Sequence, residues 1–409
     1  MNRVAKSSRS SVTGDVISKE LVRLRRKFHY SEDVIARLSF FYSIFRAEKI
    51  IENLRKPPEF MAVRVNSLKA DPKRVLEDLR ATGINVRFSN IFPDVLLIKI
   101  EGPFDLPKAE KRIIAKDKSA EGVMLGANLY APGVLEVDAS VEIGDDVIIT
   151  TKFGEVVAYG TAKISAKEKA RKGVVAEVKK SKYKIPNVKI LRPFINGEAY
   201  LSTLASTQML KWFAPTPDDK ILCISPNAED LVYLLQLTDG EADITVISKT
   251  DLEDVRIREG LRKMKMEFYE KRIKWHVIDY RYLNFDPESY DMAFISPRSS
   301  RIGLRPRLSA FLKEEDIIAL SRDARRLLDR VVPAIRKGGR LLFTVISLDP
   351  AEGELIVRYL INNWKLKPVN KDYKWGAPGF KEIEGGEKTF RIYPDIHDDI
   401  GFFGALLEC

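Results

Sequence analysis

The sequence predicts a mixed α/β protein whose C-terminal half is a largely parallel sheet with helices on both faces. A small α+β module and a small β barrel precede it. Three observations predict this. From Ile190 onward apolar strands alternate with helices, a pattern that gives a parallel sheet buried on both sides. From Lys111 to about Lys189, short apolar runs are separated by glycine turns, as in a barrel. Before Leu54 the apolar residues recur at helical spacing. A chain of 409 residues is too long for one core of ordinary size, so several domains are expected.

The elements follow in order. Residues 1–18 read as a basic, Ser-rich tail. An N-terminal module is expected over 19–110. Its first helices carry Leu21, Leu24 and Phe28, then Ile35, Leu38, Phe41, Ile44 and Phe45, and Pro57-Pro58 ends them. A strand from Phe60 to Asn66, a helix from Pro72 to Thr82 and strands near Ile84–Phe88 and Val95–Ile100 complete it. The barrel is expected over 111–189, with turns at Gly122, Gly126, Pro132-Gly133, Gly144, Gly154 and Gly160. The domain over 190–409 carries strands at Ile221–Ser225, Ile244–Ser248, Lys274–Asp279, Asp291–Ser296 and Gly339–Ser347. Helices at Asp230–Leu237, Asp251–Lys265, Lys313–Arg336 and Pro350–Asn363 separate them. Ligands on such sheets sit at the carboxyl ends of the strands.

Composition narrows the partners. A hydrophobic content of 45% with 31% charged residues marks a folded chain, not a disordered one. No apolar run approaches the roughly 18 residues of a membrane helix, and the N-terminus lacks the apolar stretch of a secretory signal. A cytoplasmic protein without a membrane partner is expected. The net charge of +11 and pI near 9.3 favour a polyanionic partner. Basic residues cluster in the first helix (Arg23, Arg25, Arg26, Lys27) and at the end of the barrel (Lys163, Lys172, Lys180, Lys182), where Tyr130 adds an aromatic surface for nucleic acid. Cys223 and Cys409 are the only cysteines, and with scattered His29, His276 and His397 they predict neither a disulfide framework nor a metal site. Glutamine occurs only at Gln208 and Gln236 amid abundant Lys, Arg and Glu, which suggests a thermophilic source.

The motifs add a resemblance. The segments Leu125–Val134, Ile143–Val147 and Val157–Ala162 resemble a PUA domain, the small barrel appended to many RNA-modifying enzymes. The C-terminal half resembles the NOL/NOP/Sun family of RNA cytosine-5 methyltransferases. The resemblance is carried by Leu201–Ser202 through Gln208–Met209 to Pro217–Leu222, by Gly303-Leu304-Arg305-Pro306-Arg307, and by Lys337-Gly338-Gly339. Arg391–Pro394, His397-Asp398 and Gly401–Phe403 complete that half, and Arg64-Val65-Asn66 resembles the family's N-terminal module. The resemblance implies a Rossmann-like methyltransferase sheet, an RNA substrate (tRNA or rRNA) and S-adenosylmethionine. A PUA domain set between the module and the sheet is similar to a branch of tRNA methyltransferases.

The family chemistry uses a thiolate that adds to carbon 6 of cytosine and makes carbon 5 nucleophilic, with a second thiol for product release. This chain has Arg298 and Ile346 at the two cysteine positions. Where the family's first strand ends in an acid followed by a Pro-Gly-Gly-Lys turn, this chain has Cys223-Ile224-Ser225-Pro226-Asn227-Ala228-Glu229-Asp230, with no Gly and no Lys. The acid that holds the ribose falls at Val246 or Ser248, depending on alignment. Ser225, Pro226, Ser248 and Asp279 are the remaining candidates for cofactor contact, with Asp279 also readable as a loop cap. Glu229 or Asp230 could hold the ribose or cap the next helix. These changes lead to the expectation of a non-catalytic RNA-binding paralogue that needs no cofactor. Its partners would be tRNA or rRNA, an active relative or the ribosome. Arg298, Arg301, Arg305 and Arg307 would line the RNA path, Arg298 pairing with a phosphate or stacking on a base, or standing as an ordinary surface arginine. The alternative is an active S-adenosylmethionine-dependent enzyme whose target atom needs no thiol. A protein–protein scaffold is a third reading, opposed by the basic surface.

Overall fold

The computed structural model describes residues 18–409 except 169, 170, 371, 373 and 374; of the expected tail, residues 1–17 lie outside the described residues and Ser18 is helical. The chain divides into two compact units, and each is interleaved along the sequence.

The first unit holds residues up to Glu59, then Ile100–Pro186 and Arg305–Phe311. Helical residues 18–28 are followed by helices over Glu32–Tyr42 and Ile44–Leu54. Ser31 caps the second helix by accepting from the Val34 N–H. Leu24, Phe28, Ile35 and Leu38 are buried at the predicted helical spacing, whereas Phe45 is exposed and the Ile44–Leu54 helix buries Ala47, Ile50, Ile51 and Leu54 instead. The barrel is a six-stranded sheet in the order 129–130, 174–181, 156–162, 146–151, 111–115 and 134–137, with a helix over Asp117–Met124. Segment 305–311 is pinned to the helices. Arg305 is buried and donates to the Lys56 and Pro57 carbonyls, and the Arg307 N–H donates to the Leu54 carbonyl.

The second unit carries two sheets. The smaller is antiparallel, in the order Ala199–Leu201, Phe60–Val65, Val95–Lys99 and Val86–Phe88. A helix over Pro72–Ala81, capped by Asp71, is a third component. The expected boundary at 189/190 therefore does not follow the packing. Strand 199–201 lies beyond it in sequence yet is an edge of the N-terminal sheet. Strand pairing obeys space, and a three-residue strand leaves too short a pattern to read.

The larger sheet is built from β1 (Lys220–Ile224), β2 (Asp243–Ser248), β3 (Lys274–Val277), β4 (Tyr290–Ile295), β5 (Ile335–Val345), β6 (Phe390–Ile392) and β7 (Phe402–Glu408). The strand order is β3-β2-β1-β4-β5-β7-β6, with two-residue strands at Ala377–Pro378 beside β6 and Lys367–Pro368 on β7. Strands β1 to β5 pair in parallel, whereas β7 runs antiparallel to β5. Helices α1 (Leu204–Phe213), α2 (Ala228–Leu237) and α3 (Asp251–Lys263) precede or connect the first strands. Helices α4 (Glu314–Val331) and α5 (Glu354–Trp364) flank β5 in sequence. In β1, Ile221 and Cys223 pack in one core cluster while Leu222 and Ile224 pack in the other, so all four are fully buried. That is why β1 reads as a continuous apolar run. The expected helix to Arg336 stops at Val331. Pro333 lies in a short turn of 3₁₀ helix, and β5 begins at Ile335, earlier than the glycine pair had suggested.

Candidate active-site cleft

The strand order reverses between β1 and β4, and a cleft of about 250 Å³ opens at the carboxyl ends of β1, β4 and β5. Its floor is apolar, formed by Met209, Leu210, Phe294 and Phe402. Its polar groups are Ser202, Thr203, Ser206, Asn227, Glu229, Asp230, Ser296 and Thr344. Local structure fixes each group. Thr203 caps α1 by accepting from the Ser206 N–H, which sets Ser206 on the first turn. Asn227 is the N-cap residue of α2, so Glu229 and Asp230 fall in its first turn, where the helix dipole favours acids. Neither acid is the cap itself. Asp230 accepts from the Ser206 hydroxyl and from Asn227 at 3.2 Å. Burial pushes the carboxyls of Glu229 and Asp230 up, against the hydrogen bonds they accept.

The turn after β1 keeps the conformation that glycine would favour. Ser225 has φ of 50°, a left-handed geometry that costs a non-glycine residue about 1 kcal/mol. The loops after β4 and β5 are tied together. Glu352 accepts from the Ser300 N–H at 2.7 Å and from the Ser300 and Ser347 hydroxyls at 2.5 Å each.

The sequence-predicted residues scatter. Ile346 lines the cleft, but Arg298 is exposed and outside its lining. Pro226 is buried, and Ser248 is fully buried at the end of β2 with a hydroxyl that has no hydrogen-bond partner. Asp279 caps the turn at Tyr280–Tyr282 and pairs with Arg281 at 2.8 Å, which lowers its carboxyl to about 2. Cap and ion pair account for it locally. In the first unit Arg23 and Lys27 share Glu48 at 2.6 and 2.8 Å, Arg25 lies 3.8 Å from Glu32, and Arg26 is exposed. Lys163 pairs with Glu177 at 2.5 Å and Lys182 with Glu155 at 3.0 Å. Tyr130, Lys172 and Lys180 are exposed. The expected RNA-path role of Arg305 is corrected: it is buried against backbone carbonyls, and Arg307 is half-buried with it. Ser206, Tyr280 and Glu352 were not legible as site residues. Only the aromatic directly after Asp279 offered a signal. Cys223 and Cys409 do not line the cleft, and burial pushes the Cys409 thiol up to about 12 and the Cys223 thiol higher. Among the described residues no group of three or more His, Cys, Asp or Glu is placed to hold a metal, and no helix is long and apolar enough to cross a membrane.

Three protein-family models match the chain. They are a PUA domain over residues 111–181, an RsmF/B-like ferredoxin-like domain over 34–105, and the 16S rRNA methyltransferase RsmB/F model over 210–408. The fold and domain set are those of the NOL/NOP/Sun RNA methyltransferases. The chain is 29% identical over 369 residues to a tRNA (cytosine(72)-C(5))-methyltransferase of Pyrococcus horikoshii, covering 88% of this chain and 92% of that protein. It is 21% identical to human tRNA (cytosine(72)-C(5))-methyltransferase NSUN6, over 78% and 75% of the two chains. A crystal structure of NSun6 from Pyrococcus horikoshii with SFG, an S-adenosylmethionine analogue, superposes with a TM-score of 0.83 at 28% identity, covering 93% of this chain and 98% of that one.

These findings overturn two expectations. A non-catalytic chain is not supported, because the relatives it matches, one of them 29% identical over 92% of its length, are named as methyltransferases. A chain without a cofactor is not supported either, because the family uses S-adenosylmethionine and the structural neighbour holds its analogue. The physical reason is plain. Missing thiols exclude one covalent route to one product, not methyl transfer as a class.

The residues can be tested against that cofactor. The cleft offers Asn227, Glu229 and Asp230 just beyond β1; outside its lining, at the neighbouring strand ends, lie the left-handed turn at Ser225 and an orphaned buried hydroxyl at Ser248, where such sheets hold the ribose. A ligand hydroxyl would satisfy that orphan, so these groups fit the cofactor.

Proposed function

We propose that the chain is an S-adenosylmethionine-dependent RNA methyltransferase acting on a tRNA nucleotide, at an atom that is already nucleophilic. The observation that carries the reading is the cleft itself. It sits at the switch point of a methyltransferase sheet, holds a half-buried carboxyl with an elevated pKa, and has no thiol in its lining. The names of the relatives support tRNA as the substrate.

When bound, the cofactor supplies an electrophilic methyl group on a sulfonium. Asn227 and Ser248 would hold it at the ends of β1 and β2, where the backbone at Ser225 makes the turn. Met209, Leu210, Phe294 and Phe402 give the cleft an apolar floor on which a bound base and cofactor would displace water. A ring nitrogen, exocyclic amine or ribose hydroxyl needs no covalent activation, but it sheds a proton as the new bond forms. Glu229 is the group placed to take that proton, and burial keeps its carboxyl basic enough to do so. Ile346 replaces a reactive side chain with an apolar wall.

RNA is held by charge. On the barrel, Lys179, Lys180 and Lys184 stand with Phe104 around a shallow cleft, a cationic rim with an aromatic ring. The test is transfer of a labelled methyl from S-adenosylmethionine to total tRNA, followed by nucleoside mass spectrometry. An N- or O-methylated nucleoside is expected. Formation of 5-methylcytidine would refute the proposed target atom, and no label in any tRNA would refute the enzyme.

A further inference from the structure

Beside the cleft, the carboxyl end of β2 is bridged by a side chain. Tyr280 follows β3, and its hydroxyl hydrogen-bonds the Ser225 hydroxyl at the end of β1. Strand β2 lies between those two strands. The bond therefore spans the carboxyl end of β2, where sheets of this topology hold the ribose. The ring packs against the core cluster that contains Leu283, and the Lys249 ammonium lies 5.7 Å from its centroid. At the same strand end the Ser248 hydroxyl is fully buried and unpartnered. Two features thus coincide: an unsatisfied polar group suited to a ligand, and a tyrosine fastened across the place that ligand would occupy. Ser225 reaches the tyrosine from a left-handed backbone. A glycine there would turn as easily but could not make the bond.

We propose that Tyr280 is a latch over the nucleoside arm of the crevice, and that the adenosine of S-adenosylmethionine enters only when the Tyr280–Ser225 bond opens. This rests on the cofactor reading above. The latch closes the crevice at the cost of apparent affinity, because the binding-competent state is only the unlatched fraction. Removing either hydroxyl removes the bond and leaves the ring in place or nearly so.

The test is calorimetric titration of the full-length protein with S-adenosylhomocysteine, which binds without reacting. Wild type is compared with Y280F, S225A and the double variant, and thermal melts check that each is folded. One hydroxyl bond predicts that Y280F and S225A each tighten binding roughly fivefold. The double variant should gain no more than either single change, since both delete the same bond. Unchanged or weaker binding in Y280F and S225A, with wild type binding normally, overturns the latch; weaker binding in Y280F makes the Tyr280 hydroxyl a ligand contact instead. The cofactor reading survives that result. No heat from any of the four proteins overturns both.

Discussion

At the residue scale, charge placement decides what each acid does. Glu229 carries a carboxyl raised by burial in the cleft. As a proton acceptor it works only when ionised, so methyl transfer should rise with pH through its elevated pKa. Glu229→Gln should lose that limb and about 10²-fold to 10⁴-fold in rate. Rates measured from pH 4 to pH 8, with cofactor affinity measured in parallel, check this. Glu48 is the opposite case. Hydrogen bonds from Arg23 and Lys27 lower its carboxyl from an ordinary 4.5 to about 2. Its contribution to stability is therefore present above about 4.5 and lost as pH falls toward about 2. The urea midpoint of Glu48→Gln should fall less steeply than wild type over that window; parallel curves would refute the pairing.

At the element scale, buried ionic and hydrogen-bonded ties fix the loops that frame the cleft. Arg391 on β6 and Glu354 at the start of α5 pair at 2.5 Å with both side chains fully buried. Arg391 also donates to the Ser347 carbonyl just after β5. Arg391→Met strands a buried carboxylate and should cost about 3–5 kcal/mol, read from denaturant midpoints. Glu352 joins the loops after β4 and β5 through Ser300 and Ser347. Glu352→Ala should cost about 1–3 kcal/mol for the unsatisfied groups left behind, and should weaken cofactor or RNA binding beyond what the lost stability explains. The loop after β4 depends on a close approach as well. The Gly401 N–H donates to the Gly303 carbonyl at 2.7 Å, and a Cβ on Gly303 would meet the Gly401 carbonyl oxygen at 1.8 Å.

At the scale of the whole molecule, the net charge of +11 governs the encounter with RNA. Counterion release predicts that tRNA affinity falls at least about tenfold between 50 and 200 mM salt. Lys180→Ala, at an exposed position on the barrel cleft, should reduce the salt slope by roughly one unit. Filter binding across a salt series checks both. The partly neutralised first helix should matter less, because Arg23 and Lys27 already share Glu48.

The elements were legible because periodicity is local. A run such as Ile221–Ile224 can be buried on both faces only in a covered parallel sheet, and glycine turns of the barrel announce themselves by spacing. The sequence by itself also placed Arg298 and Ile346 where the resembled family has its two cysteines, while the packing decided that Cys223 and Cys409 lie outside the cleft. Tertiary structure decided the rest. It moved strand 199–201 into a sheet formed by 60–99, buried Arg305 against carbonyls, and set Glu229 and Asp230 in the cleft rather than at the cap. It also laid Tyr280 across β2 to reach Ser225, a contact between residues 55 apart in the chain. Such placements depend on which strand ends converge and on what burial does to a charge. Both are properties of the packed molecule, and neither is written in the spacing of its residues.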